Sequence, residues 1–170
     1  MRWFWLGLLV FVPAVAWGQA PPCEEEPALR RLDFWLGEWV VTVNGEQVGT
    51  NRIEKILNGC AVMEHWTSAT GSEGKSLFFY QPVTKSWNQV WVTQFALGPG
   101  GMKEKKLLEA YDGPGVRFRG EIPLAEGGSY LDQTTLTPEA DGTVRQVIQI
   151  SRDRGESWET TFDAVYRRQE

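Results

Sequence analysis

From Gly37 onward the chain alternates apolar and polar residues in short stretches, and each stretch ends in a cluster of Gly, Asn, Asp or Pro. A period of two places successive side chains on opposite faces of a strand, and Asn-Gly or Asp-Gly between two such runs marks a hairpin. The pattern predicts strands over 38–43, 46–57, 61–69, 75–81, 86–95, 103–111, 116–123, 129–137, 143–151 and 158–168. Asn44-Gly45, Asn58-Gly59 and Asp141-Gly142 are the sharpest turn signals. The clearest strand is 86–95, where Trp87, Gln89, Trp91, Thr93 and Phe95 share one face. Residues 103–111 carry enough Lys, Glu and Leu to suggest a helix. The segment is short and lies between Gly-rich turns, so it reads as a strand. Before the strands, 27–34 predicts a short helix with Pro27 at its first position, ended by Asp33 and the break at Gly37.

Strands that follow one another through short loops, with no long crossover, must close or leave long unpaired edges. The predicted fold class is therefore all-β: an antiparallel up-and-down barrel of about ten strands with a short N-terminal helix. A Greek-key sandwich is the runner-up, and it would need longer connections.

The first 20 residues have a different character. Arg2 precedes an apolar run from Trp3 to Val12, and small residues follow near Ala20. This predicts a secretory signal peptide over 1–20 and a barrel domain over 21–170, because the apolar run is too short to span a bilayer. Cleavage after Ala20 or after Gly18 both fit. Ala20-Pro21-Pro22-Cys23 lacks the pattern of a lipoprotein anchor, and no other membrane-spanning segment is expected. Export, periplasmic or extracellular, changes how the two cysteines read. In an oxidising compartment Cys23 and Cys60 suggest a disulfide, with two unlinked thiols as the alternative.

The chain's 170 residues are 42% hydrophobic and 23% charged, which fits one globular domain. Net charge is −5 without a basic patch, so no nucleic-acid partner is expected. Nine Trp is a high count, and residues of that volume belong in a core or a cavity wall.

Gly37-Glu38-Trp39, after a short helix and before the first strand, resembles the opening of the lipocalin and fatty-acid-binding-protein (calycin) superfamily. The resemblance implies that Trp39 plugs the closed end of a ligand cavity. It also implies an Arg near the end of the last strand packed over that Trp. Arg168 shares the apolar face of Trp158, Phe162 and Tyr166 and is preferred, with Arg167 as the alternative. The stretches 32–39, 51–60 and 162–168 further resemble an uncharacterised family of Trp-rich bacterial secreted barrels, which implies fold and export but no activity.

Three other motifs carry less. Residues 69–76, ending in Gly74-Lys75-Ser76, fit a relaxed phosphate-binding loop, but Leu77-Phe78-Phe79-Tyr80 continues as strand where that loop needs a helix. Residues 151–158 resemble an Asp-box, Ser-x-Asp-x-Gly-x-Thr-Trp, with Ser157 in place of Thr. This predicts a hairpin in which Asp153 caps the turn and Trp158 packs beneath it. His65 is the single His, and on a strand its neighbour Glu64 faces the other way, so the two form no relay. One His also leaves too few ligands for a metal, and the haem of nitrobindin-like barrels would need a late His that is absent here. The reading therefore names no catalytic residue, no metal and no cofactor.

What remains is the interior. Glu64, Trp66, Gln89, Trp91, Thr93 and Tyr130 share faces with apolar or aromatic neighbours and are the candidate ligand-binding residues. Apolar walls with a few polar groups suit a small apolar or amphipathic molecule. The alternatives are a barrel enzyme (isomerase or hydrolase) built on Glu64 or His65, and an envelope protein that would expose an apolar patch or an open sheet edge.

Overall fold

The structure, a computed structural model, describes residues 22–169. The proposed signal peptide therefore lies outside the described residues. Ten antiparallel strands form one closed barrel: β1 (Gly37–Val43), β2 (Glu46–Ile56), β3 (Ala61–Ser68), β4 (Glu73–Gln81), β5 (Ser86–Thr93), β6 (Met102–Leu107), β7 (Val116–Pro123), β8 (Ser129–Pro138), β9 (Val144–Ser151) and β10 (Glu159–Arg168). Every strand pairs with its sequence neighbours, and β1 pairs with β10 to close the ring. The sheet consequently has no open edge, and the sandwich alternative falls.

Each expected strand is present, with small changes at the ends. β6 stops at Leu107 because Leu108–Tyr111 folds into a turn, in which the Tyr111 amide donates to the Leu108 carbonyl. β5 stops at Thr93, so Phe95 leaves the Trp87 face and is exposed in the following loop. The expected short helix is present in 3-10 form, as Pro27–Arg30 and Asp33–Trp35, preceded by a third 3-10 turn, Cys23–Glu25. A segment this short gains too few hydrogen bonds to propagate an α-helix. Its conformation is set by what it must bury, which is Leu29, Leu32 and Trp35.

These turns plug one end of the barrel. Trp35 and Trp39 are both fully buried, and the Trp39 indole donates to the Trp35 carbonyl at 2.9 Å. Trp35 meets Phe78 and Tyr166 edge to face, with centroids 5.7 and 6.0 Å apart, and Phe78 continues to Phe118 at 5.4 Å. The Trp87 indole anchors the turns from the opposite wall by donating to the Ala28 carbonyl at 2.8 Å. In register with Trp39 across the closing seam is Arg168. Its guanidinium lies 4.5 Å from the Trp39 ring centroid and donates to the Leu36 carbonyl at 3.1 Å. Gly37 is obligatory beneath it. Its φ is +126°, and a Cβ there would collide with the guanidinium.

Cys23 and Cys60 form a disulfide that ties the plug to the β2–β3 turn. The Asp-box is also present as a hairpin device. Asp153 accepts from the Ser157 amide at 2.9 Å, Ser151 Oγ accepts from the Gly155 amide at 2.7 Å, and Trp158 lies under the Arg119 guanidinium. Lys75 sits on β4, as expected for a strand and not for a phosphate-binding loop. No helix among the described residues is long and apolar enough to cross a membrane, which says nothing of strands.

The disulfide closes a loop with a sequence separation of 37. Reduction, or Cys60→Ser, is expected to lower unfolding free energy by about 4 kcal/mol in urea titrations. A change below roughly 1 kcal/mol would mean that the plug holds its place by packing alone.

Candidate functional site

Strand alternation and register divide the interior into two halves. At the plugged end the inward residues are apolar: Ile53, Val62, Phe78, Trp87, Leu107, Phe118, Leu136 and Val144 are all buried. Toward the other end the same faces become polar. One cavity of about 210 Å³ lies there, lined by Glu64, Trp66, Gln89, Trp91, Lys103, Lys105, Thr134, Gln146, Ile148, Phe162 and Tyr166. A water occupies about 30 Å³ in the liquid, so the space would take roughly seven water-sized groups.

The apolar wall depends on glycine. The Trp91 ring lies over Gly74 of the neighbouring strand, and the Trp66 ring lies over Gly49; a Cβ on either glycine would strike the indole. The two indoles therefore lie along the wall and leave the centre open. Phe162 meets Trp66 edge to face at 6.4 Å and completes this side with Ile148.

The polar groups form two clusters. In the first, Asn51 donates to Glu64 Oε1 at 2.7 Å and more weakly to the Tyr166 hydroxyl, which donates to Gln146 Oε1 at 2.7 Å. In the second, Lys103 Nζ and Lys105 Nζ both reach Asp132, at 2.7 and 2.5 Å, on different oxygens. Lys105 also donates to Thr134 Oγ1 at 2.7 Å. Between the clusters, Gln89 donates to Ser76 Oγ at 3.1 Å, and its carbonyl oxygen has no partner. Gln89 stands directly opposite Lys105 in the β5–β6 register.

Burial shifts these groups toward their neutral forms. It raises Glu64 above the ordinary carboxyl range, against the opposing pull of hydrogen bonds from Ser76 and Asn51 and of the Lys105 charge. It lowers Lys105, helped by the neighbouring Lys103 charge and opposed by Asp132 and Glu64. It holds the Tyr166 phenol well above its ordinary value, with the nearby Glu64 adding to the effect. Two ammonium groups share the single Asp132 carboxylate, and the remaining carboxyl, Glu64, favours its proton.

Four of the six expected interior residues, Glu64, Trp66, Gln89 and Trp91, line this cavity. Thr93 and Tyr130 do not. Thr93 shares the inward parity, but its hydroxyl lies 3.4 Å from the Gly101 carbonyl and accepts from the Phe95 amide, so it serves the turn at the rim. Tyr130 lies beyond Asp132, beside a separate groove with Ser129, Leu131 and Arg152. Lys103, Lys105 and Asp132 escaped the sequence reading because charged strand residues usually face water. Counting back by two from the buried Leu107 would have placed both lysines inside. His65 points outward as alternation requires. Lys75 Nζ donates to its Nδ1 at 2.9 Å, so its Nε2–H donates to Glu54 at 2.8 Å. Among the described residues no group of three or more His, Cys, Asp or Glu could hold a metal.

The shift at Glu64 has a stability consequence. Above its unfolded pKa near 4.5, the folded protein keeps a proton that the unfolded chain has lost, so this residue reduces stability as pH rises through its folded value. Glu64→Gln is expected to remove that fall and to be more stable than the parent at neutral pH. Urea midpoints measured across the acidic-to-neutral range check this. Parallel pH profiles for parent and variant would show that Glu64 ionises freely.

No family model matches the chain and no curated protein matches it in sequence, so the functional reading rests on the cavity itself.

Proposed function

We propose that this is an exported, lipocalin-like protein that binds a small amphipathic molecule inside its barrel. The observation that carries the reading is the 210 Å³ interior cavity, whose lining combines the aromatic rings of Trp66, Trp91 and Phe162 with the polar groups of Lys103, Lys105, Gln89 and Glu64. A core evolved only for stability would fill that space, because voids cost packing energy and buried charges cost desolvation. Here both costs are concentrated in one half of the barrel, while the plugged half is filled and apolar. The Trp39–Arg168 stack over a plugged end supports kinship with the lipocalin and fatty-acid-binding barrels. The disulfide agrees with an oxidising compartment, and hence with export.

A second reading, a barrel enzyme, is favoured by one observation. Glu64 is a buried carboxyl set in a cavity, and burial raises it above the ordinary carboxyl range, which favours the protonated form that a general acid needs. His65 has no part in it, because its ring faces away from the cavity.

Native mass spectrometry of protein purified from its own host is expected to show a small-molecule adduct. Anilinonaphthalene sulfonate, an amphipathic anionic probe, is expected to bind with enhanced fluorescence. Trp91→Ala, which removes one wall, is expected to weaken the probe about tenfold, equivalent to about 1.4 kcal/mol. Absence of both adduct and probe binding in a folded protein would sink the reading.

A further inference from the structure

We propose that Lys105 is a covalent attachment site at which the cavity captures a small apolar aldehyde or ketone as a reversible imine. The proposal rests on the ligand-binding reading above and specifies the chemistry of the ligand.

The geometry is that of an amine prepared as a nucleophile. The Lys105 side chain is 4% exposed, and the residue lines the cavity. Its nitrogen has two protein partners, Asp132 Oδ1 and Thr134 Oγ1. Thr134 Oγ1 accepts its hydrogen bond, while Asp132 Oδ1 stands beside it as an ion-pair partner without hydrogen-bond geometry. Lys103 sits two residues away on the same face and shares the same carboxylate. A desolvated lysine beside a second cation is one of the recognised ways to obtain an amine nucleophile near neutral pH. The charged and titratable groups facing Lys105 are Asp132, Lys103 and Glu64. Burial and Lys103 disfavour its ammonium form, while Asp132 and Glu64 favour it.

The groups needed for the remaining steps are present. The Lys105 lone pair forms the C–N bond, and the carbonyl π pair moves to oxygen. That oxygen then leaves as water, taking one proton from the attacking nitrogen and one from the Glu64 carboxyl. The products are a protonated imine on Lys105, one water and the Glu64 carboxylate, so atoms and charge balance. The imine cation stays against Asp132, which already holds the ammonium in its charged form. The unpartnered Gln89 carbonyl, opposite Lys105, accepts the hydroxyl of the carbinolamine intermediate. Trp66 and Trp91 receive the apolar body of the ligand.

The test uses the whole exported chain with benzaldehyde as probe, benzyl alcohol as its non-carbonyl counterpart, and cyanoborohydride to fix any imine. After incubation near neutral pH, peptide mapping is expected to find the benzyl mark on Lys105 at about tenfold or more over the exposed Lys85, because burial and the Lys103 charge disfavour the ammonium form of Lys105. Lys105→Arg keeps a cation at Asp132 but cannot form the imine. It is expected to lose the mark while retaining its circular dichroism spectrum, and in the parent protein benzyl alcohol, whose binding is followed by saturation-transfer NMR, is expected to compete with the mark. If benzyl alcohol binds and Lys105 is not marked, or if the mark falls on Lys103, imine capture is overturned and the ligand-binding reading survives. If neither compound binds the folded protein, both fall.

Discussion

Closure of the sheet between β1 and β10 is the constraint on which the rest of the structure depends. An open ten-strand meander would expose two unpaired edges and give its inward residues no common interior. Trp39 and Arg168 face each other across this seam, and the guanidinium bridges the indole to the Leu36 carbonyl of the plug. Seam and plug are therefore one assembly. The Trp39 indole holds Trp35, Trp35 packs on Phe78 and Tyr166, and the disulfide ties the same segment to the β2–β3 turn.

With one end filled in this way, the other half of the barrel can carry groups that would be costly in an ordinary core. Asn51, Glu64, Lys105, Asp132 and Gln146 are all buried, and each has a partner from a different strand. Breaking one such pair leaves an uncompensated polar group in a low-dielectric space, whereas replacing the whole set with apolar residues often stabilises a protein. Tolerating the set suggests a use for it. Its placement around a cavity, together with two indoles seated on glycines, is the physical basis for reading the barrel as a binding protein. The low-dielectric surroundings that make these groups costly also shift Glu64 and Lys105 toward neutral forms, and so toward proton transfer and nucleophilic chemistry.

Much of this fold was legible in the chain. All ten strands follow from alternation and turn residues, because a half-buried strand must alternate and a tight hairpin needs residues that accept positive φ. Asn44-Gly45 illustrates this, with φ of +51° and +85°. Shared parity with Tyr166 favoured Arg168 over Arg167 for the Arg that the resemblance implies. The N-terminal turns were harder, because a segment shorter than three helical turns takes its geometry from the surface it covers. Half the site was harder still. Alternation shows which residues share a face but not which face is inside, and Lys103, Lys105 and Asp132 look like solvated residues until their strands are placed in register. Tyr130 and Thr93 have the inward parity but lie too far along their strands to reach the cavity.

By itself, then, the amino-acid sequence determined the strands, their hairpin order and the barrel class, since each depends on local periodicity and turn residues, while the choice of Arg168 over Arg167 as the partner of Trp39 needed the register. The tertiary structure alone decided which polar residues meet. Strand register brings Lys105 of β6, Asp132 of β8 and Glu64 of β3 into one interior across chain separations that no local pattern records. It also decided that two indoles lie flat on glycines of neighbouring strands, because only closure and register determine which small residue faces which large one. That cross-strand packing leaves room for the cavity.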